Sequence, residues 1–219
     1  MATSNRLLWA AAHVERAALA DDLELIGDAQ WSSPSLCGQW DVEEVLAHLT
    51  AAASVGRFRW LVSVFGAKFN FDLHNDRRLA EHLGSTPADT LRRFRAVTTS
   101  TTSTFGPTAA WLGEVVVHSE DIRRPLGIDR VIPMEIVTTV ANFYAKTSFT
   151  VDSKANIAGL RLEATDGPFA AGSGPLVTGT TIALTMAMAG RGVYCHELSG
   201  PGAPILESRC LASRAGETI

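Results

Sequence analysis

The sequence has no run of roughly 18 consecutive apolar residues, so no segment reads as a membrane-spanning helix. It has no block of like charge and very little lysine, which occurs only at 68, 146 and 154. With a net charge of -4 and no basic stripe, nucleic acid and anionic membrane surfaces are poor partners. Cysteine is scarce too. Cys37, Cys195 and Cys210 are odd in number and lack CxxC spacing, which reads as free thiols in a reducing compartment. The N-terminal stretch meets acidic residues early and lacks an uninterrupted apolar core. It reads as an amphipathic helix and not as a signal peptide, so the expected location is cytoplasmic.

What is present is apolar and helix-forming. Apolar residues make up 46% of 219 and charged residues 19%, enough for a real core and too few charges for a disordered chain. Residues 5–29 place Leu8, Ala12, Leu19, Leu23 and Ile26 at helical spacing. After the Ser-, Pro- and Gly-punctuated loop WSSPSLCGQW, Asp41 and Glu44 form an Asp-x-x-Glu start for a second helix, expected to reach about Phe65. Residues 66–84 read as irregular. A third helix is expected from Ser85 to Ser103, with Pro87 in its first turn. A fourth is expected over Thr108 to Arg124, ended by Pro125 and Gly127, and a fifth over Pro133 to Thr147.

The texture changes after Val151. GLRLEATDG alternates like a strand, and the Gly-rich PFAAGSGPLVTG reads as a hairpin or loop. TTIALTMAMAG reads as a short helix stopped by Gly190, and Pro204–Ser208 as a last strand. The predicted fold is mostly α, with a four-helix bundle over residues 1–150 and a small α/β domain over 151–219.

Three residues stand out chemically. Glu114 and His118 are four apart on the fourth helix, one turn apart on one face. At about 100° per residue they lie beside Trp111, Val115 and Ile122, at the edge of the buried side. A carboxylate there is costly unless it is paired or bound to a cation. His48 shares its face with Val45, Ala52 and Val55 and also points inward. Two imidazoles and one carboxylate suit Zn²⁺, and three protein ligands leave a fourth position open, the catalytic pattern. Fe, Ni or Mn also fit such a set. The alternatives are an ordinary Glu114–His118 helix pair and a hydrogen-bonded core histidine at 48.

The other polar positions have plainer readings. Asp121 reads first as a solvated carboxylate pairing with Arg124, and second as a group orienting a metal ligand. Cys37 reads as a small buried residue, Arg59 as a snorkelling cation, and His13, His74, His82 and His196 as surface or packing residues.

SLCGQWDVEEVLAHLTAA resembles a motif of the DinB-like superfamily, specifically the mycothiol-dependent maleylpyruvate isomerase family, through Cys37, Gly38, Trp40, Ala47, His48 and Leu49. GEVVVHSEDIRRPLG is similar to that family's Glu-x-x-x-His-x-x-Asp segment, with Glu114, His118 and Asp121 in place. FNFDLHNDRR is similar to its Phe-Asp-x-x-Asn-x-Arg stretch, through Phe71, Asp72, Asn75 and Arg77. LTMAMAGR resembles its small second domain, ending in Arg191.

The resemblance implies zinc or another divalent metal on His48, Glu114 and His118, with mycothiol as thiol co-substrate. It further implies Arg77 and Arg191 as catalytic contacts to an anionic substrate, and Asn75 and Arg191 as contacts to the thiol. The reaction would be cis–trans isomerisation or thiol S-transfer on a small anionic molecule. The rival readings are a zinc-dependent hydrolase and a non-catalytic small-ligand-binding protein. The substrate stays open, ergothioneine or glutathione could take mycothiol's place, and a homodimer is compatible with the chain.

Overall fold

The computed structural model of the chain describes residues 2–38, 40–54, 79–103, 106–148 and 151–216. These divide into two compact units, Met1–Asp129 and Arg130–Ile219. The boundary falls at 129/130 and not at the expected 150/151. The fifth helix packs against the short helix, the sheet and the late helix that follow it, so it belongs to the second unit.

The first unit contains α1 (Ala2–Glu24), a 3-10 turn (Asp28–Gln30), α2 (Val42–Ser54), α3 (Pro87–Arg95) and α4 (Thr108–Leu126). α1 packs on α4 and α3, and α2 packs on α3 and α4. Their apolar stripes meet in one core built around Leu19, Leu23, Val45, Leu49, Phe94 and Ile122. α2 begins with a reciprocal cap: Asp41 N–H donates to Glu44 Oε2 and Glu44 N–H to Asp41 Oδ1, each at 2.9 Å.

α3 ends at Arg95, short of the expected Ser103. The hydroxyls beyond it take over backbone partners. Thr98 Oγ1 donates to Arg95 O, and Ser100 Oγ donates to Ala53 O at 2.7 Å. Ser and Thr compete with helical bonding in this way. The expected continuation of α2 beyond Ser54 lies outside the described residues.

The second unit comprises α5 (Met134–Lys146), α6 (Ser153–Asn156), β1 (Arg161–Ala164), β2 (Ala170–Gly172), β3 (Leu176–Gly179), α7 (Thr181–Met188), a 3-10 turn (Gly192–Glu197) and α8 (Ala203–Gly216). The sheet order is β2-β1-β3. β1 pairs antiparallel with β2 and parallel with β3, so the Gly-rich segment flanks β1 on both sides instead of forming a hairpin with itself. Gly172 and Leu176 both sit opposite Arg161, so residues 173–175 carry the chain around the start of β1. That passage needs glycine. A Cβ on Gly174 (φ 128°) would lie 2.1 Å from Gly159 O.

The expected strand at 204–208 is part of α8. Pro204 sits in the first turn, where a missing N–H is harmless. Leu206 and Cys210, four apart and both fully buried, form the inward stripe of a helix. Among the described residues, no helix is long and apolar enough to cross a membrane.

Candidate metal centre

The local sequence places the three candidate ligands. His48 lies in the second turn of α2, whose start is fixed by the Asp41–Glu44 cap. Glu114 and His118 lie one turn apart on α4. α2 packs on α4, and the side chains of His48, Glu114 and His118 meet there, with exposures of 18%, 17% and 12%. His48 Nε2 is 2.8 Å from Glu114 Oε1, and His118 Nε2 is 3.6 Å from the same oxygen. The imidazoles meet edge to face, with centroids 5.0 Å apart. The indole of Trp40 lies 4.9 Å from the His48 ring, tilted against it.

This geometry fits a small divalent ion. The three donor atoms lie within 4.8 Å of one another. Tetrahedral zinc with N and O bonds of about 2.0–2.2 Å sets its ligand atoms about 3.3 Å apart, between the two separations to Glu114 Oε1. Neutral imidazole and carboxylate are also the donor types such an ion takes.

Asp121 departs from its first reading. It is fully buried rather than solvated, and its Oδ2 sits 2.9 Å from His118 Nδ1. An Nδ1–H donated to that carboxylate leaves the Nε2 lone pair facing Glu114 and His48, the usual support of a histidine ligand. The helix's end explains a further contact. Pro125 lies inside α4 and has no N–H, so the Asp121 carbonyl lacks its normal partner four residues on. Leu36 N–H donates to that carbonyl instead, at 3.0 Å.

This bond ties the loop before α2 to the helix that carries His118. The loop is folded by Ser35 Oγ, which donates to Trp40 O and accepts from Cys37 N–H. Cys37 consequently lies with His118 and Asp121 in a second group of ligand-type atoms within 4.8 Å. Reading Cys37 as packing alone missed this. The sequence signal was its position one residue beyond a segment that a proline-freed carbonyl could capture.

The charges in this cluster support one another. Burial works against the Glu114 carboxylate, but bonds and charge from His118 and then His48 outweigh it and hold its pKa well below the usual value. Burial also works against a charged His118. The Cys37 sulfur, Asp121 and Glu114 overcome it and raise the His118 pKa well above the usual value. Both shifts favour the charged forms of Glu114 and His118.

Asn75 and Arg77 lie outside the described residues. Arg191 belongs to the second unit, where its guanidinium NH1 donates to Ala189 O at 2.7 Å.

Residues 12–111 match the family described as mycothiol maleylpyruvate isomerase N-terminal domain. No curated protein matches the chain. Two solved structures are similar to it. One is the mycothiol-dependent maleylpyruvate isomerase, at 15% identity and TM-score 0.61; the other is a variant of that protein with a histidine replaced by alanine, at 14% and 0.59. Each alignment covers 91% of this chain and 93% of the other. At that identity the likeness concerns the fold.

Proposed function

We propose, from the match of residues 12–111 to the family described as mycothiol maleylpyruvate isomerase N-terminal domain, that this chain is a divalent-metal enzyme acting with a low-molecular-weight thiol. Mycothiol is the thiol the family name supplies, and zinc is the ion that the donor set suits. The reaction is cis–trans isomerisation or thiol S-transfer on a small anionic substrate. The observation that carries this reading is the convergence of His48, Glu114 and His118, three candidate ligands among the described residues with partial solvent access.

Each residue has a distinct task. His48 and His118 present neutral nitrogens, and Glu114 supplies the negative charge that binds a dication. Asp121 holds His118 in the tautomer that keeps Nε2 available. Trp40 packs against the His48 ring and helps fix its orientation. A bound dication would supply the charge that lowers a thiol's pKa from about 8.5, giving a nucleophile for reversible addition to an activated double bond or for displacement of a leaving group. Neither outcome needs an oxidant or reductant. Asn75, Arg77 and Arg191 remain proposed contacts for the substrate and thiol.

The test is turnover of maleylpyruvate by the metal-loaded full chain with and without mycothiol. The proposal expects activity only when both metal and thiol are present, and its loss with the metal in His48→Ala. Thiol-independent hydrolysis, or full activity and metal content in His48→Ala, would contradict it.

A further inference from the structure

α1 contributes a charge to the same unit that the metal centre does not use. Arg16 is 2% exposed, yet its hydrogen bond goes to a backbone carbonyl and not to a carboxylate. One guanidinium NH1 donates to Ser100 O at 2.8 Å, and the guanidinium carbon lies 5.9 Å from the centre of the Trp9 ring. Its Nε–H is buried and, among the described residues, has no hydrogen-bond partner. Arg16 lies within electrostatic reach of Glu114, on the helix that packs most extensively against α4.

A second buried donor stands on the other helix. Trp111 precedes Glu114 by three residues, so it sits one turn below Glu114 on the same face of α4. Its Nε1–H is also buried without a partner among the described residues. Buried N–H groups are normally satisfied, so an orphaned donor on each of two packed helices, one of which carries Glu114, calls for a missing acceptor. Neither can accept a hydrogen bond, which restricts the missing group to an acceptor. The Arg16 charge restricts it further to an anion.

We infer that Arg16, with the Trp111 indole N–H as second donor, receives a carboxylate group of the substrate beside the metal centre. The inference deepens the proposed function by assigning the residue that recognises the substrate's negative charge. Burial lowers the Arg16 pKa to about 10, with Glu114 drawing it back up, so the guanidinium stays protonated at neutral pH. The site then offers a cation fixed in a low-dielectric setting, where selection of an anion over its neutral isostere is strong. Arg16 and Trp111 are substrate-positioning residues, separate from the three ligands.

The experiment uses the zinc-loaded full chain and two probes, maleate and its neutral diamide, measured by titration calorimetry. Wild-type protein should bind maleate in preference to the diamide. Arg16→Gln should weaken maleate by roughly tenfold or more with the diamide unchanged, Arg16→Lys should recover part of the loss, and Trp111→Phe should cause a smaller loss. Zinc content is measured on every sample. If Arg16→Gln does not fold, the comparison of Arg16→Lys and Trp111→Phe with wild type decides. Maleate affinity unchanged in the folded, zinc-retaining variants, or a wild type that holds zinc but does not prefer maleate, overturns the Arg16 inference and leaves the proposed function standing. A wild type that binds no zinc overturns the proposed function itself.

Discussion

The two units bury different kinds of polar group. In the first unit, the fully or nearly fully buried charged residues are Glu15, Arg16, Asp121 and Arg123. In the second, the buried polar residues among those described are Ser153, Asn156, Thr181 and Thr185, all uncharged. Each of these closes a local bond: Ser153 to Tyr144 O, Asn156 to Met188 O, Thr181 to Asp166 Oδ1 and Thr185 to Thr181 O. The second unit thus uses its buried polarity to hold its own fold together. The first holds charges whose burial is unfavourable unless they are paired or serve a ligand. The contrast sets the unit that carries the candidate metal ligands apart from the other.

Breaking the contrast at its centre has the largest expected effect. Glu114→Ala removes the carboxylate among the three candidate ligands and should abolish stoichiometric zinc retention, measured by elemental analysis after dialysis. The matching perturbation of the second unit is Leu184→Ala, at a fully buried position of α7. It should cost about 2–5 kcal/mol of stability in denaturant unfolding while zinc content stays at the wild-type level. Loss of zinc in that variant would erase the distinction between the units.

Asp121→Asn keeps the shape of the buried side chain but weakens its hold on His118 Nδ1. Zinc affinity should fall about 10–100-fold in competitive chelator titrations. An unchanged affinity would return Asp121 to a purely structural role.

The pH dependence sharpens the same point. The raised His118 pKa stabilises the metal-free fold fully below the unfolded value near 6.5, and that contribution is lost as pH rises through the folded value. The depressed Glu114 pKa stabilises above the unfolded value near 4.5 and is lost as pH falls through the folded value. Zinc must displace the His118 proton, so the gap in Tm between loaded and metal-free protein should widen from about pH 6 to pH 8. A gap independent of pH would show that His118 is not a ligand. The smallest effect expected is Asp41→Ala, which removes half of the α2 cap and should cost about 1 kcal/mol with zinc retained.

The sequence made some of this legible and hid the rest for identifiable reasons. The α4 helix, its Gly127 stop and the Asp41–Glu44 cap follow local rules, and local rules are visible in one dimension. Spacing put Glu114 over His118, and periodicity turned His48 inward. The structure brings the three together. The burial of Asp121 was hidden because it depends on what packs over the end of α4. The position of Cys37 depends on a carbonyl freed by Pro125, and the burial of the Arg16 and Trp111 donors depends on how α1 and α4 pack. Two element errors had local causes. Thr and Ser beyond Arg95 ended α3 early by binding backbone groups, and Pro204 made the start of α8 read as a break.

The most direct test of the account is zinc-edge X-ray absorption on the loaded Cys37→Ser chain, recorded before and after mycothiol is added. Removing Cys37 leaves mycothiol as the source of any sulfur near the metal. The account predicts nitrogen and oxygen neighbours at about 2.0–2.2 Å beforehand and one added sulfur at about 2.3 Å afterwards. A spectrum unchanged by mycothiol, or a protein that holds no zinc, would contradict it.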